Sequence, residues 1–227
     1  MLAAIDVETA RRILGDAVLG PVEVGDIFGL DGAVPPIPYS PAELEAAAST
    51  GDELLVLRTQ RAAGKPLTLL QLIECAPNAF DQRFLRKMGY QLKEEWGIEL
   101  EPLAKSETSA PGWMLVRKEI LDGTRNLPYE EQTEQLRRYA RSLGIREPAI
   151  RRRSAVETAY DLVLYRAARG ERLLADTWDW SASRTLDGGY LNVGGFGPDG
   201  MQVLSYSTAV RHGALGVCPS RSPQAAG

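Results

Sequence analysis

Histidine and cysteine are almost missing from this 227-residue chain: His212 is the one imidazole, and Cys75 and Cys218 are the two thiols. No CxxC, HxxxH or HExxH spacing can be written, which excludes an ordinary local zinc site of three or four Cys and His ligands. Any Ser-His-Asp or Cys-His chemistry would have to run through His212 alone. The two cysteines, far apart in the chain, read as reduced thiols buried as small apolar side chains. Positive charge is not in excess either. The 26 Lys+Arg stand against 30 Asp+Glu, a net charge of −4, which argues against a whole-surface polyanion binder. No apolar run approaches the roughly 18 residues that span a bilayer. The opening residues, MLAAIDVETARR, have neither the basic nor the long apolar region of a secretory signal. The expectation is a soluble cytoplasmic protein with no membrane partner, no metal and no cofactor.

What is present suits a folded core, with 44% hydrophobic and 25% charged residues. Residues 6–14 read as a short helix with Val7, Ala10, Ile13 and Leu14 on one face and Gly15 as its stop. Residues 20–38 are rich in Gly and Pro and predict an irregular surface segment. Ser40-Pro41-Ala42-Glu43 is a capping box that opens a helix ending by Gly51. Residues 53–59 (ELLVLRT) predict a buried strand, and Thr68 opens a helix that stops before Pro77. Phe80, Phe84, Leu85 and Met88 continue at helical spacing up to Gly89. Residues 112–121 read as a strand. Residues 129–143 read as an amphipathic helix with Tyr129, Leu136, Tyr139, Ala140 and Leu143 inward and Gly144 closing it. Ser154 and Glu157 form a second capping box, for a helix running to about Ala168.

Beyond Gly170 the helical period disappears. Short β-like runs at 173–182, 190–196, 201–206 and 214–218 alternate with turn signals at Asp187-Gly188-Gly189 and Pro198-Asp199-Gly200. Trp178 and Trp180 stand one residue apart and share a face of their strand. The fold class is α+β: a helix-rich N-terminal half followed by a meander of short antiparallel strands. The glycines of VGGFG (Gly194, Gly195, Gly197) precede a turn and a strand, where a phosphate loop needs a helix N-terminus. Arg151-Arg152-Arg153 is a compact basic cluster with no aromatic platform beside it, so nucleic acid is not an expected partner.

The order of the last third is a helix (SAVETAYDLVLYRAARGERLL), then TWDWSAS, DGGYLNVGGF, PDGMQVLSYS and LGVCPSR. It resembles the end of bacterial C-type-lectin-like domains. These include formylglycine-generating-enzyme-like domains and the variable target proteins of diversity-generating retroelements. The resemblance rests on Glu157 in the helix, Trp180-Ser181 in the strand after it, and the closing stretch from Gly216-Val217 to Arg221. It covers about residues 151–221 and is carried back to Trp113. It implies a C-type-lectin-like region at 113–221, an N-terminal α/β region at 1–112 and a disordered tail at 222–227. The formylglycine-generating oxidase is similar in fold but needs a cysteine pair, and this region holds Cys218 alone. The Glu-Pro-Asn triplet of calcium-dependent sugar binding and the Asn-rich closing segments of the retroelement targets do not occur.

What the resemblance implies is a scaffold for a binding surface. The candidate ligand-binding residues are Trp178, Trp180, Tyr190, Tyr206, Arg211 and His212, because aromatic and Arg side chains concentrate binding energy. At least two of them are expected to fill the core instead. The leading expectation is a noncatalytic recognition module for an unknown protein or small ligand. A hydrolase using Asp179, Asp187 or Asp199 with His212 is the alternative, and a structural or regulatory subunit is a third reading.

Overall fold

Four consecutive buried apolar residues, Leu54 to Leu57, need cover on both faces, and β2 (Glu53–Arg58) accordingly lies inside a sheet with β1 (Val18–Leu19) as its other neighbour. The computed structural model describes residues 5–30, 32–87, 97–145 and 149–223. β3 (Arg61–Ala62) and β4 (Lys65–Pro66) form a separate two-stranded ribbon, and β2 pairs antiparallel with β5 (Gly112–Arg117) over its whole length, from Glu53 opposite Arg117 to Arg58 opposite Gly112. β6 (Ile150–Arg152) and β11 (Pro219–Arg221) complete the sheet, in the order β1-β2-β5-β11-β6. Strands from both ends of the chain thus share one sheet, and one hydrophobic cluster runs from Ile5 to Cys218. A boundary at 112/113 would cut β5 near its first residue. The polar and sheet contacts therefore join the two halves into one architecture.

The second sheet holds β7 (Trp178–Arg184), β8 (Tyr190–Gly197), β9 (Gly200–Tyr206) and the two-residue β10 (Leu215–Gly216), in the order β10-β7-β8-β9. Between the sheets runs the helix Ala155–Arg169, capped by Ser154, whose hydroxyl accepts from the Glu157 amide. Every side chain from Ala155 to Tyr165 is buried, including Glu157, Thr158 and Asp161. A helix buried all round belongs to the centre of a protein. Its polar residues must then find partners inside.

The remaining helices line up with the sequence expectations except at a few places. The capped helices Val7–Leu14, Pro41–Thr50 and Leu69–Cys75 start where Asp6, Ser40 and Thr68 stand, each side chain accepting the predicted amide. The Gly/Pro-rich segment is not irregular throughout: Pro21–Phe28 is a helix. Pro21 sits at its first position, and Glu23 accepts from the Gly20 amide, so the start is well provided for. The helix Tyr129–Ser142 forms as expected, but Leu143 is 45% exposed because the helix has already ended there. Phe84 and Leu85 lie in a π-type turn, Arg83–Lys87, rather than a continuous helix, and Met88 and Gly89 fall outside the described residues. The closing run is two short strands split around Val217 and Cys218. Cys75 is exposed, contrary to expectation; Cys218 is buried. Of the tail, Ser222 donates its amide to the Ala149 carbonyl, and residues 224–227 lie outside the described residues. No helix among the described residues is long and apolar enough to cross a membrane.

Candidate recognition face

Alternation along β7 sends Asp179 and Ser181 towards the central helix and Trp178 and Trp180 to the outer face of the sheet. Register then places their neighbours. Trp178 lies opposite Gly194, Trp180 opposite Asn192, and Tyr190 opposite Tyr206, while Asn192 also faces Leu204. Directly paired residues share a face, so the outer surface carries Trp178, Trp180, Tyr190, Asn192, Leu204 and Tyr206. The glycines of VGGFG serve this arrangement. A Cβ on Gly195, whose φ is +54°, would come within 2.5 Å of the Trp178 indole, so glycine lets the ring lie against the strand.

Tyr129, the first residue of its helix, covers one end of this face. It stacks on Tyr190 at 4.1 Å between ring centroids and meets Trp180 edge-on at 5.2 Å. Its hydroxyl donates to the Ser181 carbonyl, and burial raises the phenol to about 12. The Arg152 guanidinium sits 4.0 Å from the Tyr129 ring centroid and donates to the Trp180 and Tyr129 carbonyls. The loop 207–214 borders the same face. His212 lies 5.9 Å from Trp178 and 6.2 Å from Tyr206, centroid to centroid. Its Nδ1 accepts from the Ala214 amide, which places the proton of the neutral ring on Nε2. Arg211 pairs with Glu131 at 2.7 Å and donates to the Asn126 carbonyl.

The structure therefore brings Trp178, Trp180, Tyr190, Tyr206 and His212 together, with Arg211 at the edge. Trp180 is fully buried and is a packing residue, so it is not part of a displayed surface. Trp178, Tyr190 and Tyr206 are half-buried; His212 and Arg211 are exposed. The same face carries buried polar atoms without hydrogen-bond partners among the described residues: Trp178 Nε1, Trp180 Nε1, and both Oδ1 and Nδ2 of the fully buried Asn192. Each such group costs about 1–3 kcal/mol, which native cores avoid unless something else requires it. Asn192 was not singled out from the sequence. The signal was there in its spacing, two residues from Tyr190 on a strand.

The opposite face of the sheet is wired differently. Arg58 pairs with Glu157 at 3.0 Å and Asp161 at 2.5 Å; Arg153 pairs with Asp161 at 2.9 Å and Asp179 at 3.4 Å. Asp179 also accepts from the Thr158 hydroxyl and the Cys218 amide. Burial raises its carboxyl despite Arg153. Burial would raise Glu157 too, but Arg58 and Arg151 outweigh it and hold that carboxyl down to about 2. The Cys218 thiol, pushed up to about 12 by burial, donates to the Arg117 and Glu119 carbonyls and is inert at neutral pH.

None of the carboxylates named for a hydrolase reaches His212. Asp179 is buried on the far side, Asp187 accepts from Thr185 and Gly189 within its own turn, and Asp199 pairs with Arg83. The three arginines of the cluster pair with Glu157, Asp161, Asp179 and backbone carbonyls. No group of three or more His, Cys, Asp or Glu side chains among the described residues is placed to hold a metal ion. Comparison with protein-family models, with characterised proteins and with solved structures returns no significant match to the chain.

Proposed function

We propose that the protein is a noncatalytic recognition module whose binding surface is the outer face of the four-stranded sheet, on a C-type-lectin-like arrangement of residues 113–221. One observation carries this reading. Trp178, Tyr190, Tyr206 and the exposed His212 converge on the face that also carries the buried, unpartnered Asn192 amide and Trp178 Nε1. The order of helix, tryptophan strand, hairpins and closing strand supports the scaffold, as does the antiparallel pairing of β5 with β11. Such a face suits a ligand that offers a flat apolar side and a hydrogen-bonding edge, as a sugar ring or a peptide side chain does.

The test is thermal unfolding of the full chain against a panel of sugars and aromatic peptides, beside a Trp178→Ala/Tyr206→Ala variant. A ligand at 100 times its dissociation constant adds about 2.7 kcal/mol, or roughly 5–10 °C for a chain of this size. The expected result is a shift in the parent that the variant lacks. A shift of equal size in both would place the ligand elsewhere and overturn the reading.

A further inference from the structure

On the other side of the four-stranded sheet from the aromatic face, a cavity of about 410 Å³ opens where the central helix ends. Ile27, Val163 and Phe196 form its apolar wall, and Arg166 and Arg172 stand on its lining with Asn78. Phe196 is almost fully buried, and the Arg172 guanidinium lies 5.9 Å from its ring centroid. Arg166 has an ordinary reason for its place: it is in the last turn of Ala155–Arg169 and donates to the Gly170 carbonyl. Arg172 lies beyond that helix and has no such reason.

Neither guanidinium pairs with a carboxylate among the described residues. Two acids beside lining residues have partners of their own. Glu171 accepts from the Tyr165 hydroxyl, and Asp199 pairs with Arg83. Among the described residues, no Asp or Glu lines the cavity. Two like charges gathered at one apolar recess, in a chain of net charge −4, concentrate anions there. The guanidinium fork fits carboxylate and phosphate oxygens two at a time, and an aromatic wall favours an apolar body beneath them.

We infer that this cavity binds a small organic anion, a carboxylate or phosphate on an apolar body. Arg166 and Arg172 take the charged group, and Phe196, Val163 and Ile27 surround the body. The site is separate from the aromatic face and does not depend on what that face binds.

Titration calorimetry of the full chain with octanoate and with phenyl phosphate tests it, each beside its neutral counterpart, octanol or phenol. At least one anion is expected to bind, its neutral counterpart at least about tenfold more weakly. The probe that binds tells carboxylate from phosphate. Arg166→Gln/Arg172→Gln should lose at least about tenfold in affinity while its circular dichroism spectrum matches that of the parent. Ala167→Trp, at an exposed helix position on the cavity wall, should block the site without touching either charge. The Trp178→Ala/Tyr206→Ala variant should bind as the parent does. Binding by neither anion, equal binding of a neutral counterpart, or parental affinity in the double arginine variant would each overturn the inference.

Discussion

On the inner face of the four-stranded sheet and around the central helix it meets, Arg58, Arg153, Glu157, Asp161 and Asp179 each have an opposite charge within 3.4 Å, all nearly or fully buried. On the outer face of the same sheet, the buried Asn192 amide and the two indole N–H groups have none, and the aromatic rings above them stay partly open. The buried charges are costly to desolvate and are held only because they are paired. Unpaired polar atoms carry a cost with no return in stability. The groups around the helix are charged and paired, although Arg58 Nη1 and Arg153 Nη2 lack a hydrogen bond among the described residues, whereas the amide and indoles of the outer face are neutral and unpartnered. Removing a charge beside the helix should therefore cost more than truncating a ring on the outer face, and replacing an unpaired polar group there should gain stability.

The largest effect should come from Arg58→Met, which keeps much of the side-chain volume and removes the charge. Glu157 would retain Arg151, but Asp161 would keep Arg153 alone, with Arg58 gone from between them. Breaking a buried pair in this way costs about 3–5 kcal/mol, a large part of the stability of most domains. Tyr206→Ala on the half-buried outer face should cost about 1 kcal/mol. Urea midpoints with an unchanged slope measure both. If the two substitutions cost the same, the contrast between the faces is not one of stability.

The next effect is a pH dependence. Glu157 is held down to about 2 in the fold against 4.5 for an ordinary glutamate. Its contribution is present above pH 4.5 and is lost as the pH falls through about 2, amounting to about 3 kcal/mol. Asp179 works the other way. Burial raises its carboxyl, so the stability it contributes is present below 3.8 and is lost as the pH rises through its folded value. Glu157→Gln isolates the first group from the second. Parent and variant should differ most in urea midpoint near pH 6 and converge towards about pH 2. Parallel curves would show that the Arg58–Glu157–Arg151 set contributes nothing pH-dependent.

How far the sequence disclosed all this depended on whether a signal was local. Ser40, Thr68 and Ser154 announced their helices because a cap acts on an amide three residues away. The turns at Asp187-Gly188-Gly189 and Pro198-Asp199-Gly200 set the register of β8 and β9 for the same reason. The helix Pro21–Phe28 was hidden because Gly20, Pro21, Gly25 and Gly29 dominate the composition while, of its apolar side chains, only Val24 and Phe28 are buried. The arginine cluster was legible as a cluster but not as three roles. Alternation sends Arg151 and Arg153 to the carboxylates of the central helix and Arg152 to Tyr129, and Arg58, which shares those carboxylates, lies nearly a hundred positions away. Trp178 and Trp180 were rightly put on one face. Their different burial depends on Tyr129 and Leu215, which no spacing within the strand reveals.

The smallest effect is the most telling, because its sign is opposite. Asn192 lies between Trp180 and Leu204 with its amide fully buried and unpartnered. Asn192→Leu keeps the branch at Cγ and removes both polar atoms. Removing an unpaired buried polar group in favour of an apolar one of similar shape should raise stability by about 1 kcal/mol, or about 2–4 °C in midpoint. The same variant should lose affinity for any ligand of the aromatic face, since it removes the donor and acceptor beneath the rings. Gain of stability with loss of binding is the pattern of a site kept for function. A lowered midpoint would make the amide a structural group, and the outer face would then be packing like the face that meets the helix.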